Sequence, residues 1–158
     1  MSPLEMIRIY IEYHIALTRK VWESIDTLTD EQYRKDDAYS RGSIRNLMVH
    51  LASVDRRWLA GLKDLPDVGQ LAVEDYPDKA SGRALFESVS KDLAAYMAGV
   101  SQAELEQNAA NIPSPRMLVL YQMINHGTDH RATVLQQLNG FGVPTFGQDF
   151  ILWLWEKK

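Results

Sequence analysis

The chain contains no cysteine, and it also lacks any segment suited to a membrane or to export. Without cysteine, disulfide bonds and thiolate ligands to a metal are both excluded, and a zinc-like site would need histidines and carboxylates. No window holds about 18 uninterrupted apolar residues. The first residues, MSPLEMIRIYIEYH, carry charges where a signal peptide would have an apolar region. We therefore expect a cytoplasmic protein.

An excess of positive charge is missing as well. Seventeen Lys and Arg stand against 21 Asp and Glu, which gives a formal net charge of −4, and the basic residues are scattered. Nucleic acids and anionic membranes attract concentrated basic surfaces, because binding there releases counterions. We therefore expect neither of them as a partner. With 158 residues, 46% of them hydrophobic, the chain can fill one core, and we predict a single domain over residues 1–158.

The dominant apolar pattern is helical. Residues 4–28 form a first predicted helix, whose inward seam repeats in steps of four and three: Ile7, Ile11, His14, Thr18, Val21, Ile25 and Leu28. A second helix is predicted from the N-cap Ser43 to about Lys63, and a third over residues 83–100. The fourth has Ser114 as N-cap and Pro115 at its first helical position, and it stops at residues 139–140.

Shorter elements complete the pattern. Thr29 with Gln32, and Ser101 with Glu104, form capping boxes that begin short helices or turns. Residues 150–156 form a last short apolar helix. Residues 64–81 contain Pro66, Gly69 and Pro77 and show no sustained period, so they are interpreted as a connection long enough to run back along the molecule. We predict an all-α four-helix bundle with one long crossover connection, plus short extra helices including one at the C-terminus.

Two of the four histidines stand one helical turn apart. The stretch NHGTDHR (125–131) places His126 and His130 on one face of the fourth helix, where both imidazoles could bind one metal ion. The spacing alone is weak evidence, since roughly one chain in fourteen with four histidines would show it by chance. His50, on or beside the buried seam of the second helix, is the third candidate. A lone histidine in such a place is more often a hydrogen-bonded core residue.

Familiar catalytic motifs do not fit these histidines. The metalloprotease pattern H-E-x-x-H needs a Glu where Gly127 stands, and di-iron bundles need a Glu three residues before a histidine, which none of the four has. The chain also lacks a Gly-rich phosphate loop, a G-x-S-x-G turn and a C-x-x-C pair. The remaining interpretation is a histidine-only site for a single metal ion.

Two segments resemble the DinB-like family of DNA-damage-inducible, metal-binding four-helix bundles: GSIRNLMVHLASVDRRWLAGL (42–62) and INHGTDHRATVLQQLNGFGVPTFGQDFILWL (124–154). The resemblance covers nearly the whole chain. It implies that His50, His126 and His130 bind a divalent metal, and it matches the arginine after the last ligand to Arg131. Two positions depart from the family pattern: Ala132 stands where Gly is frequent, and Gly127 stands where larger residues are common.

The resemblance also implies a range of functions. Zinc or nickel is the expected metal, with iron or manganese as alternatives. Some members use the metal to activate low-molecular-weight thiols, which implies a thiol-dependent S-transferase or isomerase, or hydrolase-like chemistry. The alternative is a non-catalytic metal-binding protein of the stress response or of protein interactions. Members are commonly dimeric, and the apolar helix at residues 150–156 favours a homodimer here too.

No catalytic residue can be assigned from the sequence, but His14 and Arg131 are candidates for contacts with a metal ligand or a substrate. His14 could be a fourth ligand, a base or a structural residue, and the structural role is favoured. Arg131 points about 100° away from His130 around the helix, so it could pair with a carboxylate such as Asp55 or bind an anionic substrate near the rim. Asp129 is predicted at the surface.

Overall fold

The computed structural model describes residues 1–157, and every regular element in that part of the chain is helical, as predicted. Seven α-helices follow one another, with a short 3-10 turn at Val73–Asp75 between the third and fourth. They are α1 (Pro3–Ile25), α2 (Asp30–Arg34), α3 (Ile44–Leu62), α4 (Lys79–Gly99), α5 (Gln102–Glu106), α6 (Arg116–Gly140) and α7 (Phe150–Glu156).

Side-chain caps fix several of the helix starts. The capping boxes predicted at Thr29 and Ser101 are present in both directions, and the Ser43 hydroxyl accepts from the backbone N–H of Asn46 as the N-cap of α3. Ser2 and Glu5 form a further box at the start of α1. These short polar contacts satisfy backbone N–H groups that a helix start leaves without a partner.

Two helices begin at residues other than those predicted. Helix α4 starts at Lys79, four residues before the predicted Arg83, because the Asp78 side chain caps it and exchanges hydrogen bonds with Ser81. Helix α6 starts at Arg116, with Pro115 rather than Ser114 as its N-cap. Pro115 keeps an extended ψ of 140° and pairs with Asn108 in an isolated β-bridge, which delays the first helical turn.

The four long helices contact one another in a defined pattern. Helix α1 packs against α6 and α4, and α3 packs against the same two helices. The Arg8 guanidinium donates to the carbonyls of Met97 and Val100, so the start of α1 lies beside the end of α4. Arg116 donates to the Leu62 carbonyl over 3.1 Å, which places the start of α6 beside the end of α3.

The connection between α3 and α4 runs back along α3. Asp67 accepts two hydrogen bonds from Arg57, and further on the Leu71 N–H donates to the Ser53 hydroxyl over 2.9 Å. The chain therefore passes successive turns of α3 in reverse order before α4 begins.

The core consists of two apolar clusters with a polar layer between them. All seven seam residues predicted for the first helix are buried, although α1 already ends at Ile25. Ile7 and Ile11 belong to one cluster, and Val21 and Ile25 belong to the other. The turns between them carry His14 and Thr18, which face buried polar groups of α3 and α6. Among residues 1–157, no helix is both long and apolar enough to cross a membrane.

Candidate metal centre

Helices α3 and α6 bring three imidazoles to one point. The Nε2 atom of His126 lies 2.9 Å from Nε2 of His130 and 3.3 Å from Nε2 of His50. One ring nitrogen from each of the three residues lies within 4.8 Å of the others. His126 and His130 share a face of α6 because they are one turn apart, and His50 meets them from the neighbouring helix.

These separations fit ligation of a single ion. With a bond length of about 2.05 Å from metal to imidazole nitrogen, a separation of 3.3 Å subtends about 107° at the ion and one of 2.9 Å about 90°. Both angles occur in tetrahedral or more highly coordinated sites. The Nδ1 atoms of His126 and His130 are buried without a partner, and ligation through Nε2 would place the ring proton on Nδ1 in each.

The three imidazoles are held in their neutral form. Burial lowers the pKa of His126 and His130 below the ordinary value. Burial first, and then the Arg41 charge and the neighbouring histidines, together lower the pKa of His50 to about 3. Neutral imidazole is the form that binds a metal, so protons compete little for these nitrogens at neutral pH.

The three histidines, His50, His126 and His130, are called the histidine triad below. One side of the triad opens into a cleft of about 530 Å³, which His50 and His130 line directly. The remaining wall is mostly polar and contains no Asp or Glu: Ser40, Arg41, Asn46, Ser53, Gln70, Leu71 and Val73. A ligand in this cleft would reach two of the histidines and a single charged side chain.

His14 lies behind the triad and is fully engaged by other residues. Its Nε2 atom is 2.9 Å from Oδ2 of Asp55, and its Nδ1 atom is 3.0 Å from Nη1 of Arg131. Arginine can only donate, so Nδ1 must accept and Nε2–H must donate to the carboxylate. His14 is therefore a neutral bridge between two buried opposite charges, and neither of its ring nitrogens is available to a metal.

Arg131 does not lie at the rim, where an anionic substrate could meet it. Its side chain is completely buried, and besides His14 it donates to Gln148 over 2.8 Å and to Thr18 and Thr128 over 3.1 Å each. The predicted partner Asp55 is reached through His14 rather than directly. Arg131 thus ties the turn of α6 that carries His126 and His130 to α1.

This packing explains the glycine inside the histidine motif. A Cβ atom at Gly127 would lie 2.3 Å from Cε1 and 2.4 Å from Nδ1 of His14, and 2.9 Å from Nη1 of Arg131. Gly127 therefore allows α1 to approach α6 closely enough for the buried polar contacts to form. Asp129, in contrast, is exposed as predicted.

Two residues of the site were not identified from the sequence. Arg41 stands two positions before the N-cap of α3, and its proximity to that helix start was the available signal. Gln148 anchors Arg131 and lies between α6 and α7, in a stretch without a periodic pattern. Its carbonyl also accepts from the Tyr13 hydroxyl, so the stretch before α7 is bonded to both α1 and α6.

Comparison with known proteins identifies a family but no curated relative. No curated protein matches the chain. The DinB family model matches residues 6–157, which is nearly the whole sequence and includes both histidine-bearing helices. The chain therefore belongs to the DinB family.

Proposed function

We propose that this DinB protein binds one divalent transition metal through His50, His126 and His130 and uses it to activate a small thiol in the adjoining cleft. The convergence of three Nε2 atoms beside an open, polar cavity carries this proposal. A set of three imidazoles without a carboxylate suits zinc or nickel, and also accepts iron; manganese prefers oxygen ligands and fits less well.

The composition of the cleft is compatible with a metal-bound thiol as the nucleophile. When bound, the ion supplies Lewis acidity and deprotonates a coordinating thiol outright. The cleft wall contains no carboxylate and no histidine outside the triad, so the chain offers no separate general base there. A thiol needs no such base. The three histidines hold the ion, and the polar wall orients whatever electrophile enters beside it.

Thiol transfer is tested by offering the metal-loaded protein several small thiols together with a chromogenic electrophile. We expect turnover that depends on the metal and is lost in His130→Ala. The matched control is the same assay with the metal removed by a chelator and then restored. Metal binding without acceleration for any thiol would contradict the enzyme proposal.

The same absence of a general base supports a second candidate, a non-catalytic metal-binding protein of the stress response or of protein interactions. In that case the triad would serve as a structural or sensory site. The thiol assay separates the two candidates, since only the enzyme accelerates the reaction.

We also propose that the protein is a cytoplasmic homodimer. Helix α7 stacks Phe150 on Tyr10 of α1, but Ile151, Leu152 and Trp155 remain 48%, 49% and 59% exposed. A contiguous apolar surface of this kind is typical of an interface. Light scattering should give twice the chain mass of 18.0 kDa. A monomer at micromolar concentration would contradict the dimer.

The arrangement of the long helices is proposed to be a four-helix bundle with one crossover connection. The pairing of α1 and α3 with both α4 and α6, and the return of residues 63–78 along α3, support it. Such a bundle brings side chains of neighbouring helices together, as His50 of α3 and His126 of α6 are here.

A further inference from the structure

The cleft beside the histidine triad has one charged residue on its wall, and it is positive. The wall contains Arg41 and no Asp or Glu. The nearest carboxylates in sequence, Asp36 and Asp37, line a different cavity together with Lys35. Asp55 is buried behind the triad against His14, and Asp129 is exposed on α6 outside the cleft wall. The charge of Arg41 is therefore not neutralised from within the cleft.

The backbone around Arg41 is fixed rather than loose. Its carbonyl accepts from the Asn46 amide over 3.1 Å, and the carbonyl of Gly42 accepts from the Gln137 amide over 2.8 Å. Ser40 and Gly42 both have left-handed backbone conformations, with φ of 58° and 81°. Such a conformation is uncommon for serine, and residues held in this way are frequent at binding sites.

The Arg41 guanidinium itself is free. Within residues 1–157 it forms no ion pair, although four other arginines and one lysine do. The residue is exposed and faces the same cavity as His50 and His130. An unpaired guanidinium offers a planar fork of donors that matches a carboxylate or phosphate.

We propose that Arg41 selects substrates that carry an anionic group, a carboxylate or phosphate, at one end and a metal-binding atom such as sulfur at the other. This rests on the proposed function, because the second end is assigned to the ion held by the triad. A divalent ion on three neutral imidazoles and Arg41 together carry three positive charges, and the cleft wall supplies no negative one. A thiol without a further anionic group binds as a thiolate and leaves two of these charges uncompensated, whereas a thiol that also carries a carboxylate leaves one.

The test compares two thiols of similar size, 3-mercaptopropionate and 3-mercaptopropanamide, on protein loaded with cobalt(II). Binding of each thiol is followed through the visible spectrum of the cobalt ion. We expect the wild type to bind the carboxylate at least roughly tenfold more tightly than the amide, the effect typical of a hydrogen bond to a charged group. The preference should decrease as salt is raised, since the arginine is exposed.

Two variants identify the residue responsible. For Arg41→Gln we expect the two thiols to bind with equal affinity, while cobalt stoichiometry and the melting temperature confirm that the site is intact. Arg34→Gln is the matched control, because it removes an exposed arginine that does not line the cleft. It should keep the wild-type preference.

The outcomes separate this inference from the proposed function. Equal affinity of the wild type for both thiols, or an undiminished preference in Arg41→Gln, overturns the role of Arg41 and leaves thiol binding intact. If cobalt binds but neither thiol changes its spectrum, both the thiol chemistry and the role of Arg41 are overturned. Failure to bind cobalt overturns the metal site and everything that depends on it.

Discussion

At the scale of single residues, Gly127 shows how a feature that looks unfavourable locally is required by packing. Alanine in place of glycine within a helix normally stabilises it by about 1 kcal/mol. Here the added methyl group would overlap the His14 ring, and the clash involves a side chain held at both of its nitrogens. Overpacking of this kind costs roughly 1–3 kcal/mol, so the packing effect should outweigh the helix propensity.

We predict that Gly127→Ala lowers the free energy of unfolding, measured by urea titration. Gly99→Ala is the control, since Gly99 is likewise helical, as the last residue of α4, but has open space around the position of its Cβ atom. It should be neutral or slightly stabilising. Equal or greater stability of Gly127→Ala would show that α1 does not approach α6 as closely as described.

The triad also predicts how acid affects the metal-free protein. In the unfolded chain histidine titrates near its ordinary pKa of about 6.5, whereas in the folded chain burial lowers the pKa of all three residues, that of His50 to about 3. Between these values the unfolded state binds more protons. Stability that is fully present above about pH 6.5 is therefore lost as the pH falls towards 3.

We expect the urea midpoint of chelator-treated protein to fall between pH 7.5 and pH 5. The fall should be clearly smaller in a variant that carries glutamine at all three positions, because glutamine has no proton to gain. An equal fall in the variant would mean that other groups cause the acid sensitivity.

At the scale of helices and their contacts, the polar layer connects three elements through His14. Asp55 of α3 and Arg131 of α6 are both buried and do not touch, and the neutral ring of His14 on α1 links them. Removal of one charge from a buried pair leaves the other uncompensated, which typically costs about 3–5 kcal/mol. The Oδ1 atom of Asp55 has no partner, so some of the burial cost is already present in the native protein.

We predict that Asp55→Asn destabilises the protein by about 3 kcal/mol in chemical unfolding. Asp67→Asn is the matched control: it removes the same group from a bidentate pair with Arg57 at the surface, where such pairs contribute little to stability because solvent screens them. If the two substitutions have similar effects, the buried contacts do not hold the three helices together.

The helices themselves were largely predictable, and the contacts between them were not. The apolar period of α1 and the caps at Ser43, Thr29 and Ser101 depend only on neighbouring residues, so the sequence was sufficient to find them. Asp78 was missed because its box uses Ser81 where the usual pattern has Glu or Gln. His14, Asp55 and Arg131 stand on three different helices, and their meeting depends on registers that no local pattern specifies.

At the scale of the whole molecule, the family and the all-helical fold class could both be predicted from the sequence. The segments with the histidines resemble DinB proteins, and the family match over residues 6–157 agrees with this. The cleft was not predictable, since its wall combines residues 40–53, the connection at residues 70–73 and His130. The position of that connection depends on how it returns along α3, which its composition does not reveal.

The central claim is that the three histidines form one metal site per chain, and metal content measures it most directly. Protein purified without a nickel column should first be freed of bound metal with a chelator and then incubated with zinc. After removal of excess zinc, its metal content is measured by elemental mass spectrometry. We predict one zinc per chain in the wild type and a loss of affinity of at least roughly a hundredfold in His50→Ala, His126→Ala and His130→Ala. His14→Gln should bind one zinc, because both nitrogens of His14 are engaged elsewhere. Full stoichiometry and affinity in the three ligand variants would contradict the account.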